Sequence, residues 1–293
     1  MRYTIIIMFS AICLLTSCSM EDKKDIFDIP HDGYTLFEAD FESLDMDGQN
    51  SDFVWDKDFA IGIFGSEGGV NEKYTLKNAF DGMAAGEFYG HLVMGDIMAY
   101  YPYEAGYSLY DQGLTYCLAS SQIYDSQNTL LEHFCKYAGY AYAFTDQDNM
   151  LKFRYASGML LIEVDFANPV TVTAIELVSK SNCLAGVGQI TSDMSVTLGA
   201  SGSKYVIADF GEGLISLVDG KMTKYPVVMP AGQYDDITLL LKVKDQDNIV
   251  CVLDPFDIER ISAGGYNVTE VVVKTGALGG FEIEDELEFE PQR

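Results

Sequence analysis

Positive charge is scarce in this chain. Its 293 residues carry 18 Lys and Arg against 45 Asp and Glu, a formal net charge of −27, with no basic cluster. Nucleic acid is therefore not an expected partner, because neutralising phosphates takes clustered Lys and Arg. Anionic lipid headgroups are disfavoured for the same reason, while self-repulsion at this charge favours solubility. Histidine is nearly missing, with His31, His91 and His133 far apart. There is no H-E-x-x-H, G-x-S-x-G or P-loop pattern. Carboxylates are too many to single out a glycosidase pair. The expectation is thus no enzyme, no catalytic residue, no metal and no cofactor. Cys117, Cys135, Cys183 and Cys251 form no C-x-x-C pair and have no His at ligand spacing, which argues against zinc. Cys251 sits in an apolar run and reads as a buried small hydrophobe, and the disulfide state of the four is open. Beyond residue 17 no apolar run reaches the length of about 18 needed for a membrane-spanning helix.

What is present starts at the N-terminus. Arg2 precedes an apolar stretch from Ile5 to Leu15, broken only by Ser10. It is too short to span a bilayer and fits the core of a secretory signal. The stretch ends in Leu15-Thr16-Ser17-Cys18, which resembles a bacterial lipobox. Cleavage is expected between Ser17 and Cys18, with a diacylglyceryl thioether on Cys18 and a further acyl chain on the new amine. Several chains on one residue anchor firmly. Ser19-Met20-Glu21-Asp22 follows, and reads equally as a surface-export signal or as a solvated linker. The expected division is signal peptide 1–17, linker 18–33, an N-terminal domain 34–152 and a C-terminal domain 153–293.

The dominant hydrophobic period is two. Ile162, Val164 and Phe166 alternate with Glu163 and Asp165, and Ile237, Leu239, Leu241 and Val243 repeat the pattern. Phe281, Ile283, Leu287 and Phe289 alternate with glutamates. Alternation of this kind predicts half-buried strands. Further strands are expected at 35–41, 59–64, 96–101, 140–144, 152–155, 170–178, 205–210, 249–253 and 267–274. Asp146-Gln147-Asp148-Asn149 and Asp245-Gln246-Asp247-Asn248 read as hairpin loops, since Asp and Asn tolerate left-handed backbone. Only Thr129–Tyr137 hints at a helix. Many short strands with turn-rich connections predict an all-β sandwich or barrel. The acidic run Asp45–Asp52 fails the EF-hand spacing and is read as a solvated loop. Trp55 is read as a core anchor, and Tyr100, Tyr101 and Tyr103 either as end-packing or as a sugar-stacking platform.

An ordered series of segments carries a family resemblance. After the lipobox come Phe53-Val54-Trp55, Ala60-Ile61-Gly62-Ile63-Phe64 and Asp96-Ile97-Met98-Ala99-Tyr100-Tyr101-Pro102-Tyr103. Then come Ala156-Ser157-Gly158-Met159-Leu160-Leu161-Ile162-Glu163-Val164, Met229-Pro230-Ala231-Gly232 and Ile261-Ser262-Ala263-Gly264-Gly265-Tyr266. Over nearly the whole mature chain this series resembles the fimbrillins, lipoprotein precursors of type V pilus subunits. The resemblance implies two transthyretin-like β-sandwiches on the outer-membrane surface or in a fimbrium. It implies an adhesive role, with other fimbrillin-like subunits as partners by strand addition. It also implies removal of the first strand by a trypsin-like cut and filling of the slot by a neighbour's C-terminal strand. Phe281, Ile283, Leu287 and Phe289 are the candidate donor strand, with an ordinary edge strand guarded by glutamates as the alternative. One departure matters: no Lys or Arg lies between Lys24 and Lys57, so Lys57 is the nearest protease site. A tip, anchor or accessory subunit is therefore expected at least as much as a shaft subunit. The alternative is a surface lipoprotein that captures a host or bacterial ligand, for example a glycan, without polymerising.

Overall fold

The computed structural model describes residues 33–47, 49–51, 55–56, 58–77, 85–145, 149–166, 168–218, 220–244, 250–252 and 256–272. The strands of the first half are β1 (Tyr34–Phe41), β2 (Leu44–Met46), β3 (Gln49–Ser51), β4 (Ala60–Gly65), β5 (Glu72–Leu76), β6 (Gly86–His91), β7 (Ile97–Tyr101), β8 (Leu109–Tyr110), β9 (Gly113–Leu118), β10 (Ser121–Ile123), β11 (Ala141–Thr145) and β12 (Met150–Tyr155). The helix α1 (Leu130–Tyr137) lies between β10 and β11. The second half holds β13 (Ser157–Asp165), β14 (Thr171–Ser179), β15 (Gly186–Ile190), β16 (Val196–Leu198), β17 (Tyr205–Ile215), β18 (Leu217–Val218), β19 (Lys221–Met222), β20 (Lys224–Pro230), β21 (Gly232–Val243), β22 (Val250–Val252), β23 (Phe256–Ile261) and β24 (Tyr266–Val272). The protein is all-β, as its alternating patterns predict.

The first half closes on itself, in the order β1-β12-β11-β7-β4-β5-β6 and back to β1. Period-two patterning marks strands but does not tell an open sandwich sheet from a closed one, and of the two forms expected, sandwich or barrel, the first half takes the barrel. Glycine helps the sheet close. Gly62 on β4 lies directly opposite Tyr100 on β7. A Cβ at Gly62 would fall 1.9 Å from the Tyr100 ring, so only glycine lets that ring lie across the neighbouring strand. A ring of seven strands cannot alternate direction all the way round. One parallel pair is obligatory, and it falls between β1 and β12.

The second half is a sandwich. One sheet runs β10-β17-β14-β21-β22, with β23 also on β21, and faces the sheet β20-β13-β24. Ile237, Leu239 and Leu241 of β21 meet Leu160, Ile162 and Val164 of β13 in the core between them. The opposite face of β13, with Met159 and Leu161, packs into the barrel's core. Both faces of this strand are covered, so Ser157 to Ile162 are all buried and alternation fades there. Residues 146–148 and 245–248, where hairpin loops are expected, lie outside the described residues; the strands on either side pair antiparallel, β11 with β12 and β21 with β22.

Two further pairings join the halves. The β8–β9 hairpin and the β15–β16 hairpin share one sheet through β9 and β15. Strand β10 leaves the first half and adds in parallel to β17. There Gln122, fully buried, donates from Nε2 to the Val228 carbonyl at 2.7 Å and accepts from the Val228 N–H at 2.9 Å. Its side chain thus stands in for a strand along the free edge of β20.

The helix has a capping box. The Glu132 N–H donates to Thr129 Oγ1 at 3.2 Å, and the Thr129 N–H donates to Glu132 Oε2 at 2.7 Å. Its inner face places His133 at 1% exposure, between Tyr124 and Tyr137, with neither ring nitrogen hydrogen-bonded. Burial, and then Lys136, pull the His133 pKa down from 6.5 to about 4. The unfolded chain therefore binds this proton more readily than the folded one. Stability from this group is full above pH 6.5 and is lost as pH falls toward 4. Between pH 6.5 and pH 5 the loss should be about 1.5 kcal/mol. Urea titrations of wild type and His133→Leu across that range test this. A wild-type slope unchanged by the substitution would show that another group governs it.

A candidate strand-exchange site at the seam of the barrel

Strand β1 is bonded on both sides to strands distant in sequence. It runs antiparallel to β6, from Tyr34↔His91 to Ala39↔Gly86, and parallel to β12, from Glu38↔Met150 to Phe41↔Phe153. No hairpin turn joins it to either neighbour. The ladder continues at its end, where the Glu42 N–H donates to the Phe153 carbonyl at 2.8 Å.

The side chains of β1 alternate. Phe37, Ala39 and Phe41 point into the barrel, while Tyr34 and Glu38 are exposed. Phe41 lies 5.7 Å from both Trp55 and Phe153 and 5.8 Å from Tyr101, centroid to centroid. Phe37 meets Tyr74 edge-on at 5.6 Å. Trp55 is the centre of this slot, at 1% exposure, with Phe88 at 4.7 Å and Tyr101 at 5.3 Å. Its Nε1 donates to the Ala39 carbonyl at 3.0 Å. Its reading as a core anchor holds. Burial pushes the hydroxyl of Tyr101 up to about 12, with Asp56 adding to the effect. Tyr74 is raised to about 12 mainly by burial. The slot wall is therefore uncharged at any physiological pH. What fits it is an extended segment with an apolar residue at every second position.

The segment after β1 is not the solvated loop its acidity suggests. Strands β2 and β3 pair as a hairpin, with Leu44 and Met46 buried. Asp47 Oδ2 lies 2.6 Å from Lys224 Nζ on β20 of the second half. Both groups are about one-third exposed, so the pair contributes at most about 1 kcal/mol. The apolar anchors Leu44 and Met46 bury this segment although Asp45 between them is exposed and Asp47 is held by Lys224.

The tyrosine cluster is divided. Tyr100 is fully buried and stacks on Tyr107 at 3.7 Å, and its hydroxyl donates to the Glu104 carbonyl at 2.9 Å. Tyr140 hydrogen-bonds to the Glu104 carboxylate. Tyr101 is half-buried in the slot, and Tyr103 lies under Lys73. End-packing is the reading that holds, and a sugar platform on Tyr100 is overturned by its burial. Ser17, Cys18, Lys57 and the tail residues Phe281, Ile283, Leu287 and Phe289 lie outside the described residues. Among the described residues Cys117, Cys135 and Cys183 are free thiols, and no three His, Cys, Asp or Glu side chains converge on a metal position.

No family model matches the chain, and no curated protein matches it. Solved structures do. A candidate cell adhesion protein from Bacteroides ovatus is 12% identical, with 82% of this chain and 92% of that one covered at a TM-score of 0.45. The tip fimbrial protein Mfa3 from Porphyromonas gingivalis is 10% identical, covering 78% of this chain and 91% of that one at 0.38. A fimbrial assembly protein from Parabacteroides distasonis is 9% identical, covering 81% and 90% at 0.38. These neighbours are fimbrial and cell adhesion proteins. At such identities and scores the likeness carries no argument about function, which rests on the chain's own residues.

Proposed function

We propose that this protein is a fimbrillin-like lipoprotein of the cell surface, a non-enzymatic accessory or anchoring subunit acting in adhesion, in which β1 stays in its own strand-exchange slot and the C-terminal tail donates a strand to partner subunits. The observation that carries the reading is the pairing of β1. It is the first strand of the barrel, and both of its neighbours are remote in sequence. Taking it out breaks no hairpin, exposes two backbone ladders and opens an aromatic slot that an added strand would satisfy.

An anchoring or accessory role is favoured over a shaft role by the hairpin that follows. A cut at Lys57 would remove β1, the docked β2–β3 hairpin and Trp55 together. That is more than one strand, and it would strip the slot of its central ring. The lipid on Cys18 would then remain as a lasting tether, and the tail with Phe281, Ile283, Leu287 and Phe289 would serve as the donor to a partner's slot.

The test is deletion of residues 281–293. The shortened chain should stay a folded monomer and lose assembly with partner subunits in a co-purification from the native surface. Assembly that survives the deletion removes the donor role from this tail.

A further inference from the structure

A cleft of about 1020 Å³ opens at the end of the barrel where β4 and β11 finish and β7 begins. Its other wall is the Asp111-Gln112 turn of the β8–β9 hairpin and the segment after β15. The size suits a small ligand or several sugar rings. The rim carries Asp96, Asp111, Gln112 and Ser192, all exposed. Half-buried Leu109 and Phe144 supply apolar surface beside them. Among the described residues no Lys, Arg or His lines the cleft.

Its loops are held by their own bonds. Asp111 and Gln112 take left-handed φ values of 46° and 71°, as a two-residue hairpin turn requires. With its amide turned to satisfy both groups, Gln189 donates to the Asp111 carbonyl at 3.1 Å and to the Tyr110 carbonyl at 3.3 Å. Ser66 Oγ accepts from the Asp96 N–H at 2.9 Å across the rim. In the loop after β15, Thr191 and Ser195 both donate to the Asp193 carboxylate, at 2.7 and 2.8 Å. The backbone of the cleft is thus preorganised, a condition for affinity in an open site.

We propose that this cleft binds a neutral oligosaccharide. A sugar ring is itself amphipathic, with C–H faces for Phe144 and Leu109 and hydroxyls for the carboxylates of Asp96 and Asp111 and the amide of Gln112. Anionic ligands are opposed by two carboxylates with no compensating cation. The lining contains no residue of β1, so the proposal stands or falls separately from strand exchange.

The test uses the full mature chain, with saturation-transfer NMR and calorimetry against maltohexaose, cellohexaose, xylohexaose and N-acetylchitohexaose. A heparin hexasaccharide is the anionic control and a Lys-rich peptide the cationic one. At least one neutral sugar should bind. Its affinity should fall about tenfold in Asp111→Asn, which swaps charge-assisted bonds for weaker neutral ones, and in Gln112→Gly, which loses the amide's bonds to the ligand. Glycine suits the φ of Gln112 and asparagine that of Asp111, so melting temperatures should hold. Ser192→Trp, on the exposed rim, should block binding. Failure of every neutral sugar, affinity unchanged in the variants, or tighter binding of the peptide than of any sugar would overturn the proposal.

Discussion

Replacing Trp55 with Ala should lower stability by about 3–5 kcal/mol, the usual cost of deleting a buried Trp. The ring fills the slot beneath β1 and touches Phe41, Phe88, Tyr101 and Phe153. Its indole N–H is also a bond to the β1 backbone, at the Ala39 carbonyl. The loss should therefore be uneven. Amide exchange in residues 34–41 should speed up more than exchange in β13, whose faces are covered by both cores. Trp55→Phe keeps a ring but not the donor, and should show the same local bias with a smaller total cost. Urea unfolding with peptide-resolved hydrogen exchange reads both quantities. Equal acceleration in β1 and β13 would mean that β1 opens only with the whole molecule, and the seam would then not be a site of exchange.

Gln122→Leu should be nearly as damaging, although it removes no aromatic packing. The side chain satisfies both the N–H and the carbonyl of Val228 inside the joint between β10 and β20. Leucine leaves two buried backbone groups without partners, at about 1–3 kcal/mol each. The expected total is about 2–6 kcal/mol. Gln122→Glu removes the donor and sets a carboxylate against the Val228 carbonyl, so it should be no milder. Strand β10 would be the first element released, and limited proteolysis should then cut between Ala119 and Asn128. A cost below about 1 kcal/mol for both variants would show that the strands hold this joint unaided.

These two residues also show what the sequence could and could not tell. Trp55 is legible as a core residue because a lone Trp in a β-rich chain has few other uses. Its role as the latch of a slot is not legible, because β1, β6 and β12 meet only through pairings across distant segments. Gln122 gives no signal at all. It lies in Ser120-Ser121-Gln122-Ile123, a stretch with the look of a loop, and only a parallel strand addition makes it structural. Strand β21 is plain in the alternation of Ile237 to Val243, since one of its faces is wet. Strands β5 and β6 are not, because Tyr74 is the only buried residue of β5 and Gly86 and Gly90 bracket β6. Helix α1 is readable from its cap, Thr129 with Glu132, and from the apolar spacing behind it. The acidic run after β1 misleads because composition counts its aspartates and overlooks Leu44 and Met46. The tyrosine segment misleads in part, since Tyr100 needs Gly62 opposite it to lie flat and be buried, and that pairing is set by register. The cleft at the barrel end gathers Asp96, Asp111 and Ser192 from three separated loops, and no local motif announces it.

The central claim is that the chain keeps its first strand and its lipid, so that β1 holds the slot in the mature protein. Intact mass and N-terminal analysis of the protein taken from its native cell surface test it most directly. The account predicts a mature chain that starts at Cys18, blocked by acylation, and still contains Tyr34–Phe41. A mature N-terminus directly after Lys57, or after any later Lys or Arg, would contradict it and make the lipid a temporary delivery device.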